Sequence, residues 1–483
     1  MIAMPRGLPP GRGSMVPAKA GTAGRMAKLS ALATALSICS LCLHYVADKA
    51  FGIPFGIGIL MLLLVCGTLT IPGCLRIPKP NAIVVGLCGT YVAVLVLSIP
   101  VGMCVEGQPY SSFLAETTRQ LSGADYANFV ASIPRSIPLY RTSTQIGQGL
   151  QYTATLPLSL VCLYTLFRHL AVRVPAYHRS ILLGFYAVGL ANVLFNLVEF
   201  SVPPLHWWLL LVGQYGRGEI FFSYRALSFP LNVYINAFLL LLFIAQSLGE
   251  FFRLRRKRHL AATTAAFAAL LISGTRIGLI AGLCMAALFV FWYPFDRTAT
   301  RMRYAVVGGA LGLLCLVGIV VVKPDTLSIV QSIGSVQDKS GSAQLHTYYF
   351  MNSLDIIAQY PLGIGIGKSD FGGFASGAWL NTESHMLSLA IGAGVLSLLV
   401  FLLLNFALLR TSRAAGREDP QLFFIAPFGL AILLISAINM QVCQSLVPVL
   451  YTSVLYAMVL VQRHPAVPSA PRGRPIPSMA LRW

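Results

Sequence analysis

Three residues have side chains suited to holding an anion or moving a proton, and each stands at an apolar stretch. Arg276 lies in LISGTRIGLIAG and is the only charged residue between Leu260 and Phe295. Arg225 stands in YRALSFPLNVYINAFLLL, just ahead of another apolar run, and His385 opens a third in TESHMLSLAIGAG. A guanidinium presents a fork of N–H donors that matches two phosphate or carboxylate oxygens, whereas an imidazole, with an ordinary pKa near ~6.5, accepts a proton close to neutrality. A guanidinium at the centre of a bilayer costs at least ~2.5–3.5 kcal/mol, so the place of Arg276 needs a physical reason.

The surroundings of these residues follow from composition. Of 483 residues 56% are hydrophobic and 10% charged, and mean hydropathy is +0.74. Such a chain has too few charges to coat a soluble core, so it is expected to be an all-α polytopic membrane protein. Apolar windows near 29–47, 53–71, 82–102, 152–167, 180–200, 229–248, 260–274, 277–294, 304–322, 386–409, 421–440 and 444–461 predict about twelve transmembrane helices, of which 152–167 and 260–274 are short. The net charge of +20 would suggest nucleic acid in a soluble protein. With both termini in the cytoplasm, however, the inner segments hold 25 of the 35 basic residues and only 4 of the 15 acidic ones. The basic excess is then a positive-inside signal, with RLRRKRH at 253–259 as its densest run, and nucleic acid is not needed to explain it.

The Pro/Gly-rich basic stretch 1–28 and the stretch 463–483 read as disordered cytoplasmic tails around a single membrane domain at 29–462. The first apolar segment lacks a convincing small-residue cleavage pattern and reads as a retained helix. Outward loops are expected near 103–151, 201–228 and 323–385, and function should be sought in them. Most cysteines fall within apolar spans, where a thiol acts as a small hydrophobe, and no Cys/His set has zinc-ligand spacing. Cys104 and Cys443 lie near the outer side, so one disulfide is conceivable and none is required.

Arg276 splits its apolar run into 16 residues before and 19 after, too many for one span and suited to two short ones. A helical hairpin turning at SGTR would bring Arg276 to the outer surface, because Leu260 to Thr275 rises only ~24 Å. In the last outward loop, Tyr348 to Tyr360 has helical spacing that suits a helix lying along the interface, with Pro361 ending it. In PLGIGIGKSDFGG, Gly363, Gly365 and Gly367 would let backbone amides approach a ligand, although an ordinary turn is the simpler reading. The stretch is not a Walker loop, since no strand precedes it and the glycine frame is wrong. His385 taken alone reads as a solvated histidine at a helix start, and Arg225 or Arg276 taken alone as an interfacial arginine. Their convergence on one side is what points to a site.

This ordered set resembles the bacterial O-antigen ligase/polymerase superfamily: Arg225 before a Pro-Leu-Asn span start, Ser-Gly-Thr-Arg at a hairpin tip, the PLGIGIG stretch, then His385 at a span start with Leu389 following. The resemblance covers about 220–410. Met386 stands where Asn is usual after the histidine, and His346 where many members carry Arg. The resemblance implies a fold similar to GT-C glycosyltransferases with a large periplasmic loop, in the bacterial inner membrane, and metal-independent, inverting glycosyl transfer on the periplasmic face. It implies no cofactor, a glycan donor linked to undecaprenyl pyrophosphate, a glycan or lipid-linked acceptor, and a chain-length regulator or export machinery as further partners. Arg225 and Arg276 would bind the pyrophosphate and His385 would take the acceptor's proton. Arg217, His346, Glu383, Lys368 and Tyr348 are further candidates for substrate contacts, with structural roles about as well supported; Tyr349 and Trp379 are similar. A polymerase joining lipid-linked repeats is preferred to a ligase moving glycan to a lipid A core or a protein acceptor. A flippase is the rival of different class; it would spread its charges along a path through several spans.

Overall fold

A computed structural model describes residues 32–43, 79–110, 136–174, 177–212, 226–293, 342–369, 384–438 and 441–463, with a few isolated positions between them. Among these the protein is helical, with no strand and one isolated bridge between Pro109 and Ser136. The helices used below are α1 (Lys79–Cys104), α2 (Ser143–Arg173), α3 (Tyr177–Ser201), α4 (Pro203–Val212), α5 (Val233–Leu254), α6 (Lys257–Ile272), α7 (Arg276–Trp292), α8 (Ser342–Gln359), α9 (His385–Glu418), α10 (Ile425–Ser436) and α11 (Leu446–Arg463).

Five of them, α1, α2, α3, α5 and α9, are long and apolar enough to cross a bilayer, which fits a multi-pass membrane protein. The apolar window of α5 is 94% buried and those of α1 and α3 only 28% and 39%, so α5 is the central post and the other two expose wide apolar faces suited to lipid. Leu240, Leu241, Phe243 and Ile244 of α5 are fully enclosed by α3, α6, α7 and α10. Polar ties pin the bundle where a hydroxyl or amide would otherwise face hydrocarbon. Asn81 of α1 donates to Tyr164 of α2 and to the Leu460 carbonyl of α11, both at 3.0 Å. Ser159 meets Ser453 at 2.9 Å, and Ser247 meets Thr263 at 2.8 Å.

Several boundaries differ from those read in the sequence. The short window 152–167 is the apolar middle of the 31-residue α2. The polar stretch ahead of the window joins the helix and finds a partner within the protein: Gln145 donates to the Gly367 carbonyl. The outward loop expected at 103–151 is shortened accordingly, and the one at 201–228 contains α4. The windows 53–71 and 304–322 and the tails 1–28 and 464–483 lie outside the described residues or nearly so. Cys104 and Cys443 are free thiols.

Candidate functional site

The hairpin expected at SGTR is present. α6 ends at Ile272, Ser273 and Gly274 turn the chain, with Gly274 at φ 67°, and α7 begins at Arg276. Only glycine takes that left-handed angle at no cost. The Ser273 and Thr275 hydroxyls bond each other at 2.9 Å inside the turn. Gly278 then lets α7 close on α5: a Cβ there would lie 2.6 Å from the Thr275 Oγ1 and 3.1 Å from the Ala237 Cβ.

The residues that follow Arg225 pack onto this tip. The Ala226 N–H points at the Ile272 carbonyl at 3.5 Å, and Ala226 shares a small apolar cluster with Leu271 and Ile272. The chain thus brings the neighbour of Arg225 against the turn that leads into Arg276. Beneath lies a polar network that the sequence reading missed. Glu199 of α3 is fully buried; its carboxylate accepts from the Leu227 N–H at 3.0 Å, the Ser228 N–H at 2.7 Å and the His206 ring at 2.7 Å. Asn236 donates to the Ala226 carbonyl at 2.9 Å and exchanges amide bonds with Asn196. Ser228 and Leu231, at φ 54° and 53°, hold backbone angles that side chains disfavour. The available signal was FNLVEFS, an acid and an asparagine within an apolar span, where such residues need partners.

The glycine stretch has a different role from the one expected. α8 ends at Gln359 ahead of Pro361, as predicted, and is followed by Gly363, Gly365 and Gly367 at φ 92°, 105° and 86°. α9 breaks at Gly394, with φ 82° and ψ 167°, and the loop enters the break. The Ile364 N–H bonds the Ile391 carbonyl at 2.8 Å, the Gly365 N–H bonds the Gly392 carbonyl at 2.9 Å, and the Val395 N–H bonds the Pro361 carbonyl at 2.9 Å. Two of the amides that could have met a ligand are therefore used inside the fold. Gly365 also faces Gly102 of α1, where a Cβ would lie 2.8 Å from the Gly102 Cα and closer still to the Tyr140 hydroxyl.

Lys368 closes this seam. Its side chain is enclosed, with the ammonium 3.3 Å from Glu106, 3.0 Å from the Gly102 carbonyl and 4.2 Å from the centre of the Tyr140 ring. Burial pulls its pKa below the usual lysine range, and Glu106 opposes that shift. These partners give it a structural place, in contrast to the substrate contact expected of it.

His385 is the first residue of α9, whose N-terminus is capped by Ser384 through the Leu387 N–H at 3.3 Å. The solvated position expected for this histidine alone does not hold, because it is 3% exposed. Its ring faces inward, edge-on to Phe401 at 5.3 Å, with Nδ1 3.3 Å from the Gln444 side-chain amide. It lines an internal cavity together with Tyr91, Thr153, Asn405, Ser436 and Thr452, and the Tyr91 hydroxyl there is buried without a hydrogen-bond partner. The Gln444 side-chain nitrogen donates to Nδ1, which leaves the proton of the neutral ring on Nε2 and fixes the orientation of the imidazole.

Residues 261–402 match the protein-family model described as O-antigen ligase. The match supports a likeness of this stretch, under a third of the chain, to the O-antigen ligase/polymerase superfamily. The matched stretch takes in the hairpin tip, α7, α8, the glycine seam and α9 past its break at Gly394; Arg225 and the Glu199 network precede it. No curated protein matches the chain. Arg225, Arg217 and Glu383 lie outside the described residues, as do the side chains of Arg276, His346 and Tyr348. Of the expected site residues, the structure describes the side chains of His385 and Lys368.

Proposed function

We propose that the chain transfers a glycan from a polyprenyl-pyrophosphate carrier at the outer face of the bacterial inner membrane. The match to the O-antigen ligase model over 261–402 supports a function of the O-antigen ligase/polymerase type, with lipid-linked glycans as the suggested substrates. The observation that carries the finer reading is the junction at the hairpin tip, where the residue after Arg225 packs against the turn leading into Arg276, within a bundle whose α9 begins with a buried histidine.

In this reading Arg225 and Arg276 hold the pyrophosphate and offset the charge that builds on it as the anomeric C–O bond breaks. The acceptor hydroxyl attacks the anomeric carbon from the opposite face, its proton passes to His385, and the configuration inverts. The fold is of the GT-C kind with about twelve spans, both termini in the cytoplasm and the site in the periplasm. The preferred acceptor is a second lipid-linked repeat, which makes the protein a polymerase; the ligase reading uses the same residues with a lipid A core or protein acceptor.

The test is His385→Ala and Arg276→Ala in a host lacking its own copy, with the lipid-linked repeat followed by mass. Single repeats accumulating on the carrier support polymerisation. Long chains left on the carrier support ligation, and unchanged polymer from both variants removes the assignment.

A further inference from the structure

Glu199 is the one carboxylate with no exposure among the described residues, and its partners are unusual. Burying a carboxylate costs several kcal/mol even after relaxation, so its bonds must return that cost. Two of the three run to consecutive backbone N–H groups, Leu227 and Ser228, one to each carboxylate oxygen. Asn236 holds the Ala226 carbonyl, the Ser228 hydroxyl donates to Asn192 at 2.8 Å, and Asn192 and Asn196 both donate to the Asn236 side-chain oxygen at 2.9 Å. Every backbone polar group from Ala226 to Ser228 except the Leu227 carbonyl therefore has a bonded partner in Glu199, Asn236, Ile272 or Leu231.

α5 does not need this apparatus in order to start. Its own cap, Asn232, accepts from the Tyr234 and Ile235 N–H groups at 2.9 and 3.1 Å. The clamp acts on the residues ahead of the cap, holds Ser228 in the left-handed region, and presses Ala226 onto the hairpin tip. Arg225 is the next residue in the chain.

We propose that Glu199, with Asn192, Asn196 and Asn236, is a positioning clamp that fixes the 226–228 backbone against the hairpin tip and through it governs pyrophosphate binding by Arg225, the residue just ahead of that backbone. This rests on the reading of the two arginines under the proposed function. Glu199 touches no substrate; it acts through the backbone that leads to Arg225.

The experiment is a double-mutant cycle on the full-length protein in detergent, with undecaprenyl pyrophosphate as the probe and binding affinity as the readout. Glu199→Gln keeps the shape but replaces one acceptor oxygen with a donor, and is expected to weaken binding about tenfold. In an Arg225→Ala background the same substitution should change nothing further, because the residue it positions is gone. A merely structural role predicts the same loss in both backgrounds, and that result, or unchanged affinity from Glu199→Gln alone, overturns the clamp. Should Glu199→Gln not give folded protein, Ser228→Ala removes only the hydroxyl bond to Asn192 and enters the same cycle, with about a threefold loss expected and the same two overturning results. If Arg225→Ala by itself leaves affinity unchanged, the site reading fails at its base, a result distinguishable from failure of the clamp alone.

Discussion

Two loop-to-helix junctions in this bundle are held by opposite means. At the hairpin tip, residues 226–228 are held by side chains: a buried carboxylate, three asparagines and a serine hydroxyl. At the seam between 361–367 and the broken α9, the chain is held by backbone bonds, and glycines keep side chains out of the way. A polar network can fix a backbone and leave an adjacent charged residue able to meet a ligand. In the glycine seam the Gly363, Ile364 and Gly365 amides are bonded within the fold. On the proposed reading, ligand chemistry belongs to the first junction and scaffolding to the second.

The largest effect expected is at the seam. Gly365→Val adds a branched side chain at φ 105° and drives it into Gly102 and Tyr140. The strained backbone and the overpacking each cost on the order of 1–3 kcal/mol, and both fall on one residue. The expected outcome is loss of the monodisperse protein peak on size-exclusion chromatography after detergent extraction. A normal peak would mean that the seam opens freely, and the contrast would collapse. At the clamp, Asn236→Leu should act less on the fold and more on turnover. It leaves the Ala226 carbonyl and the Asn192 amide without the bonds they make to Asn236, at about 1–3 kcal/mol each, while the Asn196 amide keeps the Asn192 carbonyl. Folded protein should still be recovered, with a lower melting temperature and the lipid-linked donor accumulating in cells.

A smaller effect is expected at His385, where Gln444→Leu removes the group beside Nδ1 while the histidine stays in place. On the proposed reading the imidazole then loses the amide that orients it, and turnover should fall about tenfold with donor affinity unchanged. Equal turnover would separate Gln444 from the chemistry.

Legibility from sequence followed the same division. The hairpin was readable because one charge in 36 apolar residues admits few explanations, and SGT supplies a turn. The end of α8 was readable from Pro361. The seam was not, since a run of alternating glycines specifies left-handed backbone without naming its partner, and Gly394 lies 31 residues after Gly363. The clamp was hidden because Glu199 and Asn236 are separate polar letters in two apolar spans, and only helix packing makes them one network. The burial of His385 was hidden for the same reason: Phe401 and Gln444 reach it from elsewhere in the chain.

Lys368 gives the sharpest test of the contrast, because it is a charge within the seam. It was expected to touch substrate, yet its ammonium is enclosed by Glu106, the Gly102 carbonyl and the Tyr140 ring. Lys368→Met leaves the partly buried Glu106 carboxylate without its ammonium partner, still accepting from the Tyr140 N–H at 2.8 Å. The cost should be about 1–3 kcal/mol, visible as a melting temperature lower by a few degrees. Adding Glu106→Gln removes the stranded charge but keeps an acceptor for Tyr140, so the double variant should recover part of the loss, as expected when a buried pair is removed together and not by halves. A scaffold residue predicts this pattern in thermal melts and no weakening of undecaprenyl pyrophosphate binding. If Lys368→Met instead weakens that binding while the melting temperature holds, the lysine belongs with the arginines as a ligand contact, and the seam is part of the binding surface.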